Sequence, residues 1–165
     1  MPTSKRQTRG RDLWNESRSM HDAQFFTLGY VGRSLHEIVV VLREARVRTL
    51  FDIRANAVSR FRPEFNKSHL QRFLEQEGIC YKHVPSLGVP RKIRVPAINQ
   101  GQRDTIWPWY DKHVIPGYLG KHLHGFLNST EHPIAMMCAE ANPEDCHRHR
   151  LCLELEARGM RGYDL

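Results

Sequence analysis

The sequence predicts a single three-layer α/β domain, with a mostly parallel sheet and helices on both of its faces. The first observation behind this prediction is an alternation of short apolar runs with amphipathic helical patterns, beginning with a strand, a helix and a strand within residues 24–53. The second is that 165 residues, 40% of them hydrophobic and 26% charged, have the length and composition of one soluble domain with a substantial core.

The first strand is expected at residues 24–28 and the second at residues 47–53. Ser34 and Glu37 match the capping-box pattern S-x-x-E, which predicts a helix between the two strands. A strand, a helix and a strand of this length form a βαβ unit, which implies parallel pairing and a right-handed crossover.

A second helix is expected after Asn66, which is a favourable N-cap residue, and it ends at Gly78. Residues 79–84 form the third predicted strand. A weaker helix is predicted near residues 118–127, where apolar residues recur at helical spacing but two glycines interrupt the pattern.

Residues 88–103 are the least regular part of the predicted domain. They contain four basic side chains and no acid, which suits a lid or an anion-binding arm as well as it suits a disordered surface loop. The basic residues are Arg91, Lys92, Arg94 and Arg103. Three aromatic residues follow, Trp107, Trp109 and Tyr110. They could stack on nucleobases, but anchoring of the loop to the core is the favoured interpretation.

The remaining predictions concern charge and cysteines. Residues 1–23 are expected to be a basic mobile tail, and residues 24–165 to be the α/β domain. The net charge of +7 indicates an acidic partner, either a small anionic substrate or nucleic acid. With no apolar run near the roughly 18 residues of a membrane span, no membrane partner is expected. Without an export signal, the four cysteines are expected to be reduced thiols in a cytoplasm.

One stretch, residues 133–150, concentrates the reactive side chains. An apolar strand at residues 134–137 is followed by Cys138 and Glu140, and residues 142–145 carry the signals of a helix start. The first turns of that helix are expected to carry Cys146, His147, Arg148 and His149. A strand-to-helix turn of this kind delivers side chains to the carboxyl edge of an open sheet.

The chemistry of this stretch allows several interpretations. Cys138 could be a nucleophile, since a helix N-terminus and nearby arginines favour the thiolate, and Glu140 is an equally good nucleophile or base. Position 144 is Glu, whereas cysteine-dependent phosphatases and rhodaneses place an arginine six residues after the cysteine. The residue types of the stretch suit zinc, but the cysteine spacing is too long and Cys146 and His147 would diverge by about 100° on a helix, so neither a metal nor a cofactor is predicted.

Arg148 falls in the apolar stripe of the last helix, together with Leu151, Cys152 and Leu155. A core-facing arginine needs a carboxylate, carbonyl groups or an anionic ligand. A structural salt bridge and a contact with substrate are both consistent with this position.

The predicted site lies where two strands end on the same edge of the sheet. Asp52 and Arg54 end one strand, Cys138 and Glu140 follow another, and Arg148 should point back at them. The predicted catalytic residues are Cys138, Glu140 and Asp52, and the predicted substrate-binding residues are Arg54, Ser59, Asn66, His147 and Arg148.

These motifs resemble a family known as domain of unknown function 488, over about residues 24–160. The residues that carry the resemblance are Thr27, Gly29, Asp52, Arg54, Phe65–Lys67, Leu87, Gly88, Cys138, Glu140, Pro143, Cys146, His147 and Arg148. The resemblance implies a three-layer α/β fold and an activity that is largely uncharacterised. Members of the family usually have another strand after the last helix, and residues 162–165 predict that this strand is short or missing here.

The functional prediction is therefore a cytoplasmic enzyme that acts on a small anionic, nucleotide-like substrate, as a hydrolase or a transferase. The alternative is a non-enzymatic nucleic-acid-binding domain that uses the basic tail and the basic loop. The two differ in salt dependence, because binding through phosphate contacts weakens steeply as salt rises.

Overall fold

The computed structural model describes residues 10–119 and 130–165 and contains a five-stranded parallel sheet of order β3-β2-β4-β1-β5. The strands are β1 (Phe25–Gly29), β2 (Thr49–Asp52), β3 (Cys80–His83), β4 (Ile134–Cys138) and β5 (Gly162–Asp164). The helices are α1 (Leu35–Glu44), α2 (Lys67–Gln76), α3 (Arg91–Asn99), α4 (Ile106–His113), α5 (Ile115–Leu119) and α6 (Arg148–Ala157).

Helices cover both faces of the sheet, which confirms the predicted three-layer α/β architecture. Because side chains alternate along a strand, Phe25 enters one apolar core and Phe26 enters the other. Helices α1 and α2 close the core that contains Phe26, and α4 and α6 close the core that contains Phe25. The central strands are buried on both sides, as expected for a parallel sheet.

Helix α1 begins as the sequence predicts. The Ser34 hydroxyl accepts a hydrogen bond from the Glu37 N–H, and the Glu37 carboxylate accepts one from the Ser34 N–H. Two backbone N–H groups at the start of the helix are thus satisfied, which fixes where the helix begins.

The basic segment is more regular than predicted. Residues 91–99 form helix α3 even though Pro96 lies inside it. Ile93 and Ala97 pack on the core, while Arg91, Lys92 and Arg94 are exposed. Two apolar residues at i, i+4 spacing are enough to pack one face of a short helix against the core. The prolines and charged residues around this pair are not typical of a helix, so the sequence did not predict one.

The segment predicted to be a mobile tail also differs from expectation where the structure describes it. Residues 10–15 are helical, Trp14 is 9% exposed within the apolar core, and the Arg18 guanidinium binds both carboxylate oxygens of Glu156 at 2.8 and 2.9 Å. The large aromatic side chain of Trp14 anchors this segment to the core, which the many charged residues around it did not predict. Residues 10–18 therefore belong to the packed body of the protein.

The C-terminal part differs from expectation in one place, the start of its helix. The last helix, α6, begins at Arg148 rather than near residue 142, because a 3₁₀ turn at Pro143–Asp145 is followed by Cys146 in an extended conformation. Strand β5 is short, with three residues, but it is present and pairs with β1.

Of the weak helix predicted at residues 118–127, all but its start lies outside the described residues. Among the helices that are described, none is both long and apolar enough to cross a membrane.

Candidate functional site

The carboxyl ends of β2 and β4 meet at one edge of the sheet. Asp52 pairs in register with Met137, and the Ile53 N–H donates to the Met137 carbonyl at 3.0 Å. Asp52 and Cys138 therefore emerge on the same edge, which confirms the geometric prediction made from the parallel pairing of the strands.

The turn that follows β4 is held against the end of β1. The N–H of Val31 donates to the Ala139 carbonyl at 2.9 Å. A Cβ atom at Gly29 would lie 1.7 Å from the Glu140 carbonyl oxygen, so only glycine allows the turn to pass this close. Gly29 thus sets the position of the residues between Cys138 and Ala141.

Arg148 also holds this turn in place, through hydrogen bonds to its backbone. Its side chain is 0% exposed, and its guanidinium donates to the Asp164 carboxylate and to the carbonyls of Glu140 and Ala141. Of the two alternatives left by the sequence, the structure shows the salt bridge. Contact between Arg148 and a substrate would require these bonds to break, so the predicted substrate-binding role is not the one this geometry supports.

Asp164 is the partner that sequence reasoning missed. Its fully buried carboxylate accepts hydrogen bonds from Arg148 Nε at 3.0 Å and from the Thr27 hydroxyl at 2.6 Å. The signal in the sequence was indirect: an arginine on an apolar stripe requires a carboxylate, carbonyl groups or an anionic ligand, and nothing local pointed to β5.

Asp52 and Arg54 form a second buried network. Arg54 binds both Asp52 oxygens, at 2.8 and 2.6 Å, and also donates to the Phe65 carbonyl. The Tyr81 hydroxyl donates to Asp52 at 2.6 Å, and burial, followed by the charge of Asp52, raises the pKa of Tyr81. Asp52 is 0% exposed, so this pair stiffens the end of β2; its predicted catalytic and binding roles remain predictions.

Ser59 and Asn66 hold the loop between β2 and α2. The Asn66 side-chain oxygen accepts from the Ser59 N–H at 2.6 Å instead of capping the helix, and the Ser59 hydroxyl accepts from the Arg62 N–H. Phe65 stacks on Tyr30 with ring centroids 4.3 Å apart. Neither Ser59 nor Asn66 borders the pocket described below, and their substrate-binding role remains a prediction.

The cysteines and His147 converge in a way the sequence did not suggest. The Sγ atoms of Cys138 and Cys146 are paired as a disulfide, so of the four thiols expected to be reduced, Cys80 and Cys152 are free. His147 Nδ1 lies 3.9 Å from the Cys138 sulfur and 3.8 Å from the Cys146 sulfur.

The imidazole of His147 is fixed by the end of β2. Its Nε2 is 3.0 Å from the Ile53 carbonyl, and burial lowers the pKa of His147 to about 4. The divergence of about 100° expected between Cys146 and His147 does not occur, because both residues precede the regular helix α6. The neutral ring thus presents one nitrogen to the two sulfurs.

A small pocket lies beside this cluster, under helix α3. Its polar lining residues are Arg94, Arg103, Glu140, Asp145, Cys146 and His147. The Arg103 guanidinium is 3.9 Å from the Glu140 carboxylate, whose other oxygen lies 3.0 Å from the Cys138 sulfur. The cavity volume of about 20 Å³ has room for one water, not for a nucleotide. A larger ligand would sit at its mouth and place only its reactive group inside.

The aromatic segment anchors the pocket wall. Tyr110 is fully buried and its hydroxyl donates to the Leu87 carbonyl at 2.8 Å. Trp107 packs edge-on against His149, with centroids 4.8 Å apart, and borders the pocket. These contacts agree with the interpretation favoured from the sequence, in which the aromatic residues anchor the basic segment to the core.

Comparison with known proteins supports the resemblance seen in the sequence. The family model named "Domain of unknown function DUF488" matches residues 34–154, which is more than half of the chain. No curated protein and no solved structure matches the chain.

Proposed function

The chain belongs to the DUF488 family, and we propose that it is a cytoplasmic enzyme that acts on a small anionic, nucleotide-like substrate at the pocket beneath helix α3. The observation that carries the proposal is the meeting of two arginines, Arg94 and Arg103, with Glu140 around one pocket. Cations beside a carboxylate supply the two elements that such a reaction needs: an anion anchor and a group that transfers a proton.

In this proposal each group has one task. Arg94 and Arg103 bind the anionic end of the substrate at the mouth of the pocket. Glu140 is the base or nucleophile, because its side chain is 28% exposed and borders the cavity. The reaction is a hydrolysis or a group transfer, since a carboxylate in that position can activate water or attack an electrophilic centre directly.

The buried ion pairs act as positioning groups. The Asp52–Arg54 pair stiffens the end of β2, where the Ile53 carbonyl holds His147. Arg148, which is paired with Asp164, donates to the carbonyls of Glu140 and Ala141 and so holds the turn that carries the Glu140 side chain. Both pairs act on the pocket through the backbone and not through the substrate.

A ligand screen tests the anion site. Nucleoside monophosphates, sugar phosphates and inorganic phosphate are compared for their effect on the melting temperature. A ligand present at 100 times its Kd adds about 2.7 kcal/mol, which corresponds to a rise of roughly 5–11 °C for a chain of this size. Arg103→Gln should abolish the rise, whereas Lys92→Gln should retain it, because Lys92 is an exposed cation on the helix of Arg94 that does not border the pocket.

Glu140→Gln then separates binding from chemistry. With a stabilising anion in hand, the variant should still bind it but lose roughly 10²- to 10⁴-fold in turnover, the usual contribution of a proton-transferring group. The proposed pocket would be contradicted if none of the tested anions raised the melting temperature of the wild type. It would also be contradicted if Arg103→Gln and Lys92→Gln reduced that rise equally.

A non-enzymatic nucleic-acid-binding domain is the second candidate. It is favoured by the exposed cations Arg91, Lys92 and Arg94 on one short helix. Substitution of these charges is the suitable test, since deletion of the N-terminal segment would remove core contacts of Trp14. Binding that falls steeply with salt and is lost in the triple glutamine variant supports this candidate. A protein that ignores DNA and RNA at low salt, while a nucleotide stabilises it, excludes it.

A further inference from the structure

We propose that Cys138, Cys146 and His147 form a binding site for a divalent zinc-class metal ion once a thiol reductant has reduced the Cys138–Cys146 disulfide to two thiolates. One ligand atom from each residue lies within 4.8 Å of the other two, and all three residues are buried. The site borders the pocket through Cys146 and His147. The proposal rests on the proposed function for its chemical role, since it names the group at the centre of that site, but metal binding itself can be measured without any substrate.

The hydrogen bond of His147 orients the ring for coordination. A backbone carbonyl only accepts, so Nε2, 3.0 Å from the Ile53 carbonyl, carries the proton. Nδ1 is then unprotonated and faces both sulfurs, at 3.9 and 3.8 Å. A ligating histidine almost always donates its other N–H in this manner to a carbonyl or a carboxylate.

The backbone around the cysteines favours coordination over a permanent disulfide. The Cα atoms of Cys138 and Cys146 are 7.3 Å apart, whereas disulfides usually span about 4.4–6.8 Å. Two cysteine side chains that point at each other across a wider gap can bind one ion between them. In a reducing compartment, paired cysteines with a histidine are more often metal-binding or catalytic than disulfide-bonded.

The surroundings of Cys146 suit a thiolate. The Arg148 N–H at the start of helix α6 points at the Cys146 sulfur, 3.5 Å away. A helix N-terminus and a backbone donor stabilise negative charge on sulfur. Two buried thiolates next to each other would repel, and a divalent cation between them removes that repulsion.

The ligand set also indicates the type of site. Two thiolates and one imidazole match the three protein ligands of catalytic zinc, where the fourth position is left to water or substrate. Glu140, 3.0 Å from the Cys138 sulfur and at the edge of the pocket, is placed to fill that position or to take a proton from a water bound there. The pocket volume of about 20 Å³ matches one such water.

Metal content and cobalt spectroscopy test the inference. Protein purified with reductant and without chelator should contain one zinc per chain by elemental mass spectrometry. Reduced, metal-free protein titrated with Co²⁺ should develop thiolate-to-cobalt charge-transfer bands that saturate at one equivalent, a result that requires no variant. Failure of wild-type reduced protein to do so would overturn the proposal.

Matched variants locate the site. Cys138→Ser, Cys146→Ser and His147→Asn should each abolish the charge-transfer bands or reduce affinity at least 10-fold. Cys80→Ser and His149→Gln should not, because Cys80 is a free exposed thiol and the His149 Nδ1 contacts the Cys146 carbonyl instead of the sulfurs. Bands that persist unchanged in Cys138→Ser and Cys146→Ser, or that vanish in Cys80→Ser, would contradict the assignment.

The metal site and the proposed function can fail separately. If cobalt binds as expected but no anion stabilises the protein, the metal site stands and the enzyme proposal fails. If anions bind and turn over at the same rate in chelator-treated, metal-free protein, the enzyme proposal stands and the metal has no part in it.

Discussion

Replacement of Asp164 by asparagine tests the buried salt bridge that supports the site. Asp164 and Arg148 are both 0% exposed, and the carboxylate accepts from Arg148 Nε at 3.0 Å and from the Thr27 hydroxyl at 2.6 Å. Asparagine has nearly the same shape but no charge. The substitution therefore leaves the Arg148 charge in the core without its counter-charge, and it also removes the longer ion pair of Asp164 with Arg11 at 3.5 Å.

The expected cost is large for a single side chain. Removal of one partner of a buried ion pair typically destabilises a protein by about 3–5 kcal/mol, because the remaining charge stays desolvated. Domains of ordinary stability unfold with only about 5–15 kcal/mol in total. Asp164→Asn should thus lose about a fifth or more of the free energy of unfolding, and the turn held by Arg148 should loosen with it.

Urea denaturation followed by tryptophan fluorescence measures this loss. Glu131→Gln is the matched control, since Glu131 forms an ion pair with Arg48 in which both side chains are more than half exposed, and exposed pairs contribute only about 0–1 kcal/mol. Thr27→Val keeps the test useful if Asp164→Asn does not fold. It removes one hydrogen bond to the same carboxylate, at an expected cost of about 1.5–3 kcal/mol.

The reasoning fails if Asp164→Asn costs no more than Glu131→Gln. Such a result would mean that water reaches the guanidinium of Arg148, or that another acceptor replaces Asp164. Arg148 would then be available to a ligand after all, and its direct contact with substrate would again be the better interpretation.

Three further predictions concern single positions. Gly29→Ala should destabilise the protein by about 1–3 kcal/mol or more in urea, because the added Cβ meets the Glu140 carbonyl, whereas Gly117→Ala, with open space at its Cβ, should be neutral or stabilising. Ser34→Ala should cost about 1 kcal/mol by the same measurement, through loss of the helix cap. Burial raises the pKa of Cys152 from 9.0 to about 12, so its contribution to stability is complete below pH 9 and declines as the pH rises from 9 towards 12. Cys152→Ala should lack that decline in urea midpoints measured between pH 8 and 11, and an identical decline in both proteins would contradict the assignment.

Part of the site followed from the sequence alone. The alternation of apolar runs and helical patterns predicted a parallel sheet. Parallel strands bring their carboxyl ends to one edge, so Asp52 and Cys138 were expected to emerge together, as they do. The position of Arg148 on an apolar stripe predicted its burial. These features are determined by local periodicity, with a repeat of 2 residues in strands and about 3.6 in helices, which can be read within a short window of sequence.

Other features required the tertiary structure. The acid that pairs with Arg148 lies on β5, and no local pattern identifies which of many carboxylates will be buried beside an arginine. The meeting of His147 with two sulfurs depends on the extended backbone at Cys146, where the sequence instead suggested a continuous helix. Trp14 reached the core because a hydrophobic contact with distant residues outweighed the polar character of its own segment. Each of these features depends on a contact between residues far apart in the chain or on the backbone conformation of one residue. Such contacts and conformations produce no periodic pattern in the sequence, so the sequence alone did not predict them.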